Sequence, residues 1–147
     1  MSESGRIQFA TLALIGINIA MAFLAFFVPE MVDRFGFYSD APSVIAALVS
    51  IVLHQNLLHL LANMVFLAAV GPAVEFATGA IRFVLIFVSG GICGVLLHWI
   101  ATMNQVAPAP LIGASGGISA CAAYYSIRYA HLRVPIAPNV SIPILGI

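Results

Sequence analysis

The sequence predicts an all-α membrane protein, a polytopic helical bundle, and two observations predict it. Of 147 residues, 63% are hydrophobic and 7% charged, against about 25% charged in an ordinary soluble domain. Mean hydropathy is +1.13, so the chain lacks the polar surface to cover a globule in water. The apolar residues also gather into runs of bilayer length, separated by short polar or proline-bearing stretches. Net charge is zero and every cation is arginine, which removes any compositional case for a nucleic-acid partner. Cys93 and Cys121 lie inside apolar runs and read as small packing residues rather than a disulfide.

The elements follow in order. Arg6 precedes an apolar run over 7–28, which has the look of a signal peptide. Its length of about 22 residues instead suits a retained span, because a secretory apolar core is roughly 7–15 residues. Pro29 closes it. The next apolar stretch, 44–74, would be roughly 46 Å long as one helix, against a hydrocarbon core of about 30 Å. His54, Gln55 and Asn56 interrupt it. The reading is therefore a short interfacial or re-entrant segment over 43–53 and a second span over 56–74. Gly79 ends the following turn, and a third span covers 81–101. A proline-broken loop, MNQVAPAP, leads to a fourth span over 115–129. A new apolar run, 140–147, would begin a fifth. No repeat is visible, so the chain reads as one domain.

Charge sets the expected orientation. With a cytoplasmic N terminus, Arg6, Arg82, Arg128 and Arg133 fall inside and Arg34 alone falls outside, beside Glu30, Asp33 and Asp40, as the positive-inside rule requires. His54, His59, His98 and the loop before Ser115 then share the outer half of the membrane. No Arg- and Ser-rich transit peptide precedes the first span, which points to a prokaryotic plasma membrane.

Polar groups inside hydrocarbon are costly, so each is a functional candidate. His59 and Asn63 are four residues apart and share a helical face; His54 lies just before that helix. Hydrogen-bonding glue between helices is one reading. Metal or haem ligation is another, but the five-residue histidine spacing suits a single metal badly, and Glu75 is at the far end of the span. Ser115 stands in GASGGISA with Gly113 and Gly116 around it. A serine at the start of a span has unpaired backbone N–H groups and the positive end of the helix dipole beside it, which is the equipment of an oxyanion site. The same glycines also suit close helix packing.

Taken together, HQNLLHLLAN (His54, His59, Asn63), Glu75 closing that span, and GASG opening a later one resemble the rhomboid intramembrane serine proteases. The resemblance covers roughly residues 43–128. It implies a fold of six spans, about four of them present here, and an intramembrane serine endopeptidase whose substrates are transmembrane proteins in the lipid bilayer. It assigns Ser115 as nucleophile. The oxyanion hole falls to His59, Asn63 and the Ser115 backbone N–H. His54, Gly113 and Gly116 line the active site, and Glu75 is structural. No metal or cofactor is implied, and the oligomeric state is left open.

Two features depart from the pattern. The Trp-Arg pair common in the first outer loop is missing from YSDAPSVIAALVS. The general-base histidine, on the sixth span in the family, is not in this chain; His131 would sit about 24 Å along a helix from Ser115. The expectation is a C-terminally incomplete rhomboid-like domain, inactive alone. A rhomboid-like pseudoprotease that binds transmembrane helices is the alternative, with a transporter or haem-binding bundle behind it.

Overall fold

The computed structural model describes residues 8–129, together with the backbone of 133–137 and 140–143. Six α-helices carry the fold: α1 (Phe9–Phe27), α2 (Glu30–Phe35), α3 (Val44–Val49), α4 (Leu57–Thr78), α5 (Ala80–Thr102) and α6 (Ser115–Tyr129). Among the described residues, α1, α4 and α5 are long and apolar enough to cross a membrane. The chain is thus a multi-pass integral membrane protein. Helix α6 has 15 residues, about 22 Å at 1.5 Å per residue.

Successive long helices run antiparallel because their connections are short. A single residue, Gly79, separates α4 from α5. The end of α4, the start of α5 and the end of α6 therefore share one end of the bundle with the start of α1. The start of α4, the end of α5 and the start of α6 share the other.

Helix α4 is the hub. Its buried residues Leu60, Asn63, Met64, Leu67, Gly71, Val74 and Glu75 recur at helical spacing. Leu67 and Val74 meet Leu14 of α1, Phe83 and Phe87 of α5, and Ile118 and Cys121 of α6 in one core. The α5–α6 contact is closer still. A Cβ added at Gly116 would lie 2.9 Å from the Gly90 carbonyl oxygen, and one at Gly90 would lie 2.7 Å from that of Gly116. Neither position accepts a side chain without moving a backbone.

Glu75 ties α1 to α4. Its carboxyl oxygens accept from the Ala10 N–H at 2.9 Å, the Thr11 N–H at 2.7 Å and the Thr11 hydroxyl at 2.7 Å. These amides belong to the first turn of α1, which has no side-chain cap of its own, so a partner helix supplies the acceptor. The side-chain partner of Glu75, Thr11, is 2% exposed.

The segment over 43–53 is a short helix followed by one 3-10 turn, Ser50–Val52. Ser43 starts it by accepting the Ala46 N–H, as an N-cap serine does. Helix α2 was not expected from the sequence. Pro29 precedes it, Glu30 and Asp33 occupy its first turn and Arg34 its last, which matches the helix dipole over six residues too few to show periodicity.

The described structure adds a two-stranded antiparallel hairpin to the all-α expectation, β1 (Arg133–Ala137) with β2 (Val140–Pro143). The start of a fifth span expected at 140–147 thus has its first four residues in a strand. Pro143 lacks the N–H a helix interior needs, and Val140 and Ile142 are β-branched. The remainder of that run, and His131, lie outside the described residues.

Candidate active site

At the end where α4 and α6 begin, His54, His59, Asn63 and Gly113 come together. Asn56 caps α4 by accepting the His59 N–H at 2.8 Å. This fixes the first turn of α4. Asn63, one turn deeper and 7% exposed, places its amide nitrogen 2.9 Å from His54 Nε2. The His54 and His59 rings meet edge to face, with centroids 5.1 Å apart.

His54 precedes α4, outside the spanning helices, and is 4% exposed. Its pKa is lowered to about 4, first by burial and then by the neighbouring His59. At neutral pH the ring is therefore uncharged and can accept from the Asn63 amide through Nε2, with the proton on Nδ1. That leaves the second Asn63 N–H unused by this bond.

The shift has a stability consequence. An unfolded histidine titrates near 6.5, and the folded group near 4. The contribution is fully present above pH 6.5 and is lost as pH falls toward 4, because the unfolded chain takes up the proton first. The loss is about 3 kcal/mol at most. Unfolding followed from pH 7 to pH 4.5 should show a steeper fall for the wild type than for His54→Gln. Parallel pH curves would contradict this.

The loop before α6 is clamped twice. Phe37 and Leu111 exchange backbone hydrogen bonds of 3.1 and 2.8 Å, and the Gly113 N–H donates to the Ser50 carbonyl at 2.8 Å. Gly113 has φ of +123°, a conformation suited to glycine. A Cβ there would stand 2.7 Å from His59 Cε1 and 3.6 Å from Asn63 Nδ2. The backbone thus passes directly against the His59–Asn63 pair. Gly113→Ala should lower stability by about 2–5 kcal/mol through combined strain and overlap, with thermal unfolding as the check. An unchanged midpoint would contradict the close approach.

Helix α6 then begins. The Ile118 N–H donates to the Ala114 carbonyl at 3.0 Å, so Ala114 acts as the cap. The N–H groups of Ser115, Gly116 and Gly117 fall within the first turn, where helices leave their donors unpaired. Ser115 is exposed, and among the described residues no hydrogen bond joins it to a histidine. The geometry gathers backbone donors, an imidazole and an amide around one helix start, which is suited to a carbonyl oxygen acquiring negative charge.

Glu75, expected at the far end of its span, is at the opposite end of the bundle, against α1. One residue expected to line the site is turned away from it. Gly116 points its side-chain direction at Gly90 and Gly91 of α5, so it packs helices and contributes only its backbone to this end of α6. The Ser50 carbonyl and the Phe37–Leu111 clamp were not anticipated. They act through backbone atoms, which leave no residue-type signal. Among the described residues, no cluster of three His, Cys, Asp or Glu side chains could hold a metal ion.

These features define a polytopic helical membrane protein with a polar, donor-rich cluster at one end. The rhomboid domain family matches residues 41–147, and the chain belongs to that family. It is 40% identical over 74 residues to Rhomboid protease GluP of Bacillus subtilis (strain 168), covering 50% of this chain and 14% of that protein. It is 35% identical over 85 residues to human Rhomboid-related protein 3, covering 58% of this chain and 19% of that protein. The chain thus spans less than a fifth of either relative's length. No solved structure matches it significantly.

Proposed function

We propose that this chain contributes the nucleophile and oxyanion site of an intramembrane serine endopeptidase that cleaves transmembrane segments near the outer membrane face. The observation that carries the reading is the backbone at Gly113, two residues before α6, packed against the His59–Asn63 pair. Ser115 Oγ would attack the scissile carbonyl carbon, forming a C–O bond as the carbonyl π electrons move onto oxygen. The Ser115 N–H, His59 and the second Asn63 N–H would hold that oxygen. The hydroxyl proton would pass to a histidine base supplied from outside these 147 residues, which would return it to the leaving amine. Water would then release the acyl group. His54 would serve as a positioning residue, accepting from Asn63 and so directing its remaining donor.

The proposal includes a cytoplasmic N terminus, supported by the arginine distribution, a prokaryotic plasma membrane and a single rhomboid-like domain. The printed name of the Bacillus relative, a protease, supports the chemistry.

Asn63→Ala, assayed in the native membrane protein on a transmembrane substrate, should lower kcat by about 10²–10³-fold with little change in KM. A raised KM with kcat unchanged would assign Asn63 to helix packing or substrate binding instead. The second reading is a helix-binding pseudoprotease. Under that reading the substrate binds, and neither wild type nor variant cuts it.

A further inference from the structure

A groove opens at the end of the bundle opposite Ser115, between the end of α4, the start of α5 and the second half of α6. Ala77, Thr78, Arg82, Leu85, Ile86 and Tyr124 line a space of about 440 Å³. The wall is largely apolar. Its polar features are the Arg82 guanidinium and the Tyr124 hydroxyl, because the Thr78 hydroxyl already donates to the Val74 carbonyl at 2.8 Å.

Among the described residues, no carboxyl group pairs with Arg82. Glu75 is engaged by the first turn of α1. Glu30 and Asp33 are in α2, and Asp40 is in the loop after it, all at the other end of the bundle. A second cation, Arg128, lies one turn beyond Tyr124 on α6, with its guanidinium 5.6 Å from the centroid of the Tyr129 ring.

Depth decides what can bind there. Arg82 is in the first turn of a spanning helix, so it sits at the level of lipid headgroups. Leu85 and Ile86 follow at three and four residues along the same helix, below the cation; Leu85 is exposed and Ile86 packs partly against the core. A ligand matching this column carries a negative charge and hydrogen-bond acceptors at the top and hydrocarbon beneath. A cation between helices at a membrane surface attracts anionic headgroups, and guanidinium pairs with phosphate in a two-pronged fashion.

We propose that this groove is a binding site for one anionic glycerophospholipid. Its phosphate lies against Arg82 and the Tyr124 hydroxyl, and the first part of an acyl chain lies along Leu85 and Ile86. The site is independent of the proposed proteolysis.

The test is native mass spectrometry of the whole protein, released from detergent after titration with dioleoylphosphatidylglycerol, dioleoylphosphatidylcholine or inorganic phosphate. The expected result is one retained phosphatidylglycerol adduct, reduced about fivefold or more in Arg82→Gln and unaffected by Arg34→Gln at the opposite end. Ala77→Trp, which fills the groove and leaves every charge in place, should remove the adduct as well. Circular dichroism identical to wild type would show that each variant folds. The proposal is overturned if Arg82→Gln and Ala77→Trp retain the adduct at wild-type levels. It is also overturned if phosphatidylcholine is held equally well, or if inorganic phosphate displaces the lipid, which would make this a free-anion site.

Discussion

Ser115→Ala should reduce cleavage of a transmembrane substrate to background, a loss of about 10³-fold or more, while the helical content stays unchanged. The two halves of this expectation rest on different observations. Ser115 is exposed at the first position of α6 and forms no described hydrogen bond, so removing its hydroxyl leaves no buried group unsatisfied and costs little stability. Under the proposed function, its position at a helix start two residues after Gly113, which packs against His59 and Asn63, gives its hydroxyl a chemical use that alanine cannot replace. Packing positions on α6 behave in the reverse way. Replacing Gly117, where a Cβ would fall 2.6 Å from the Phe87 carbonyl oxygen, would disturb the fold first and activity only as a consequence.

Glu75→Ala should destabilise the protein by about 3–5 kcal/mol, the largest stability effect expected of any single side chain here. The substitution removes the acceptor of three hydrogen bonds, from Ala10 N–H, Thr11 N–H and Thr11 Oγ1. The two amides cannot turn to the α1 interior, since a helix provides no partner for its first N–H groups. Glu75→Gln keeps one acceptor oxygen and should cost less, about 1–2 kcal/mol through weaker attraction to the helix dipole. Thr11→Val removes only the hydroxyl and should cost about 1 kcal/mol. A double-mutant cycle between positions 11 and 75, read by unfolding in mixed micelles, should give a clear coupling energy. Additive effects would place the stabilisation elsewhere.

The helical membrane fold was legible because it depends on composition and run length, which a single sequence displays directly. The interruption at His54–Asn56 was legible for the same reason: the 31 residues of 44–74 are too long for one span, and three consecutive polar residues divide them. Helix α2 was not legible, because Glu30–Phe35 is too short for a periodic pattern and depends on its dipole-matching charges. Within the candidate site, His59, Asn63 and Gly113 could be singled out by residue type, and the structure brings them within contact distance. The resemblance assigned Gly116 to the active-site lining, although a glycine suits a reactive loop and a helix contact equally. Its Cα geometry against Gly90 decides for the contact. The acceptor that directs Asn63, His54 Nε2, was visible only as a nearby histidine. Its neutral state follows from burial, which the sequence does not display.

The central claim is that Ser115 is the nucleophile. The most direct measurement is mass spectrometry of the native membrane protein after treatment with a fluorophosphonate, which forms a stable ester with an activated serine. The expected result is a single adduct mapping to Ser115, absent from Ser115→Ala and strongly reduced in Asn63→Ala. A protein that remains unlabelled, or one labelled equally well in Ser115→Ala, would contradict it.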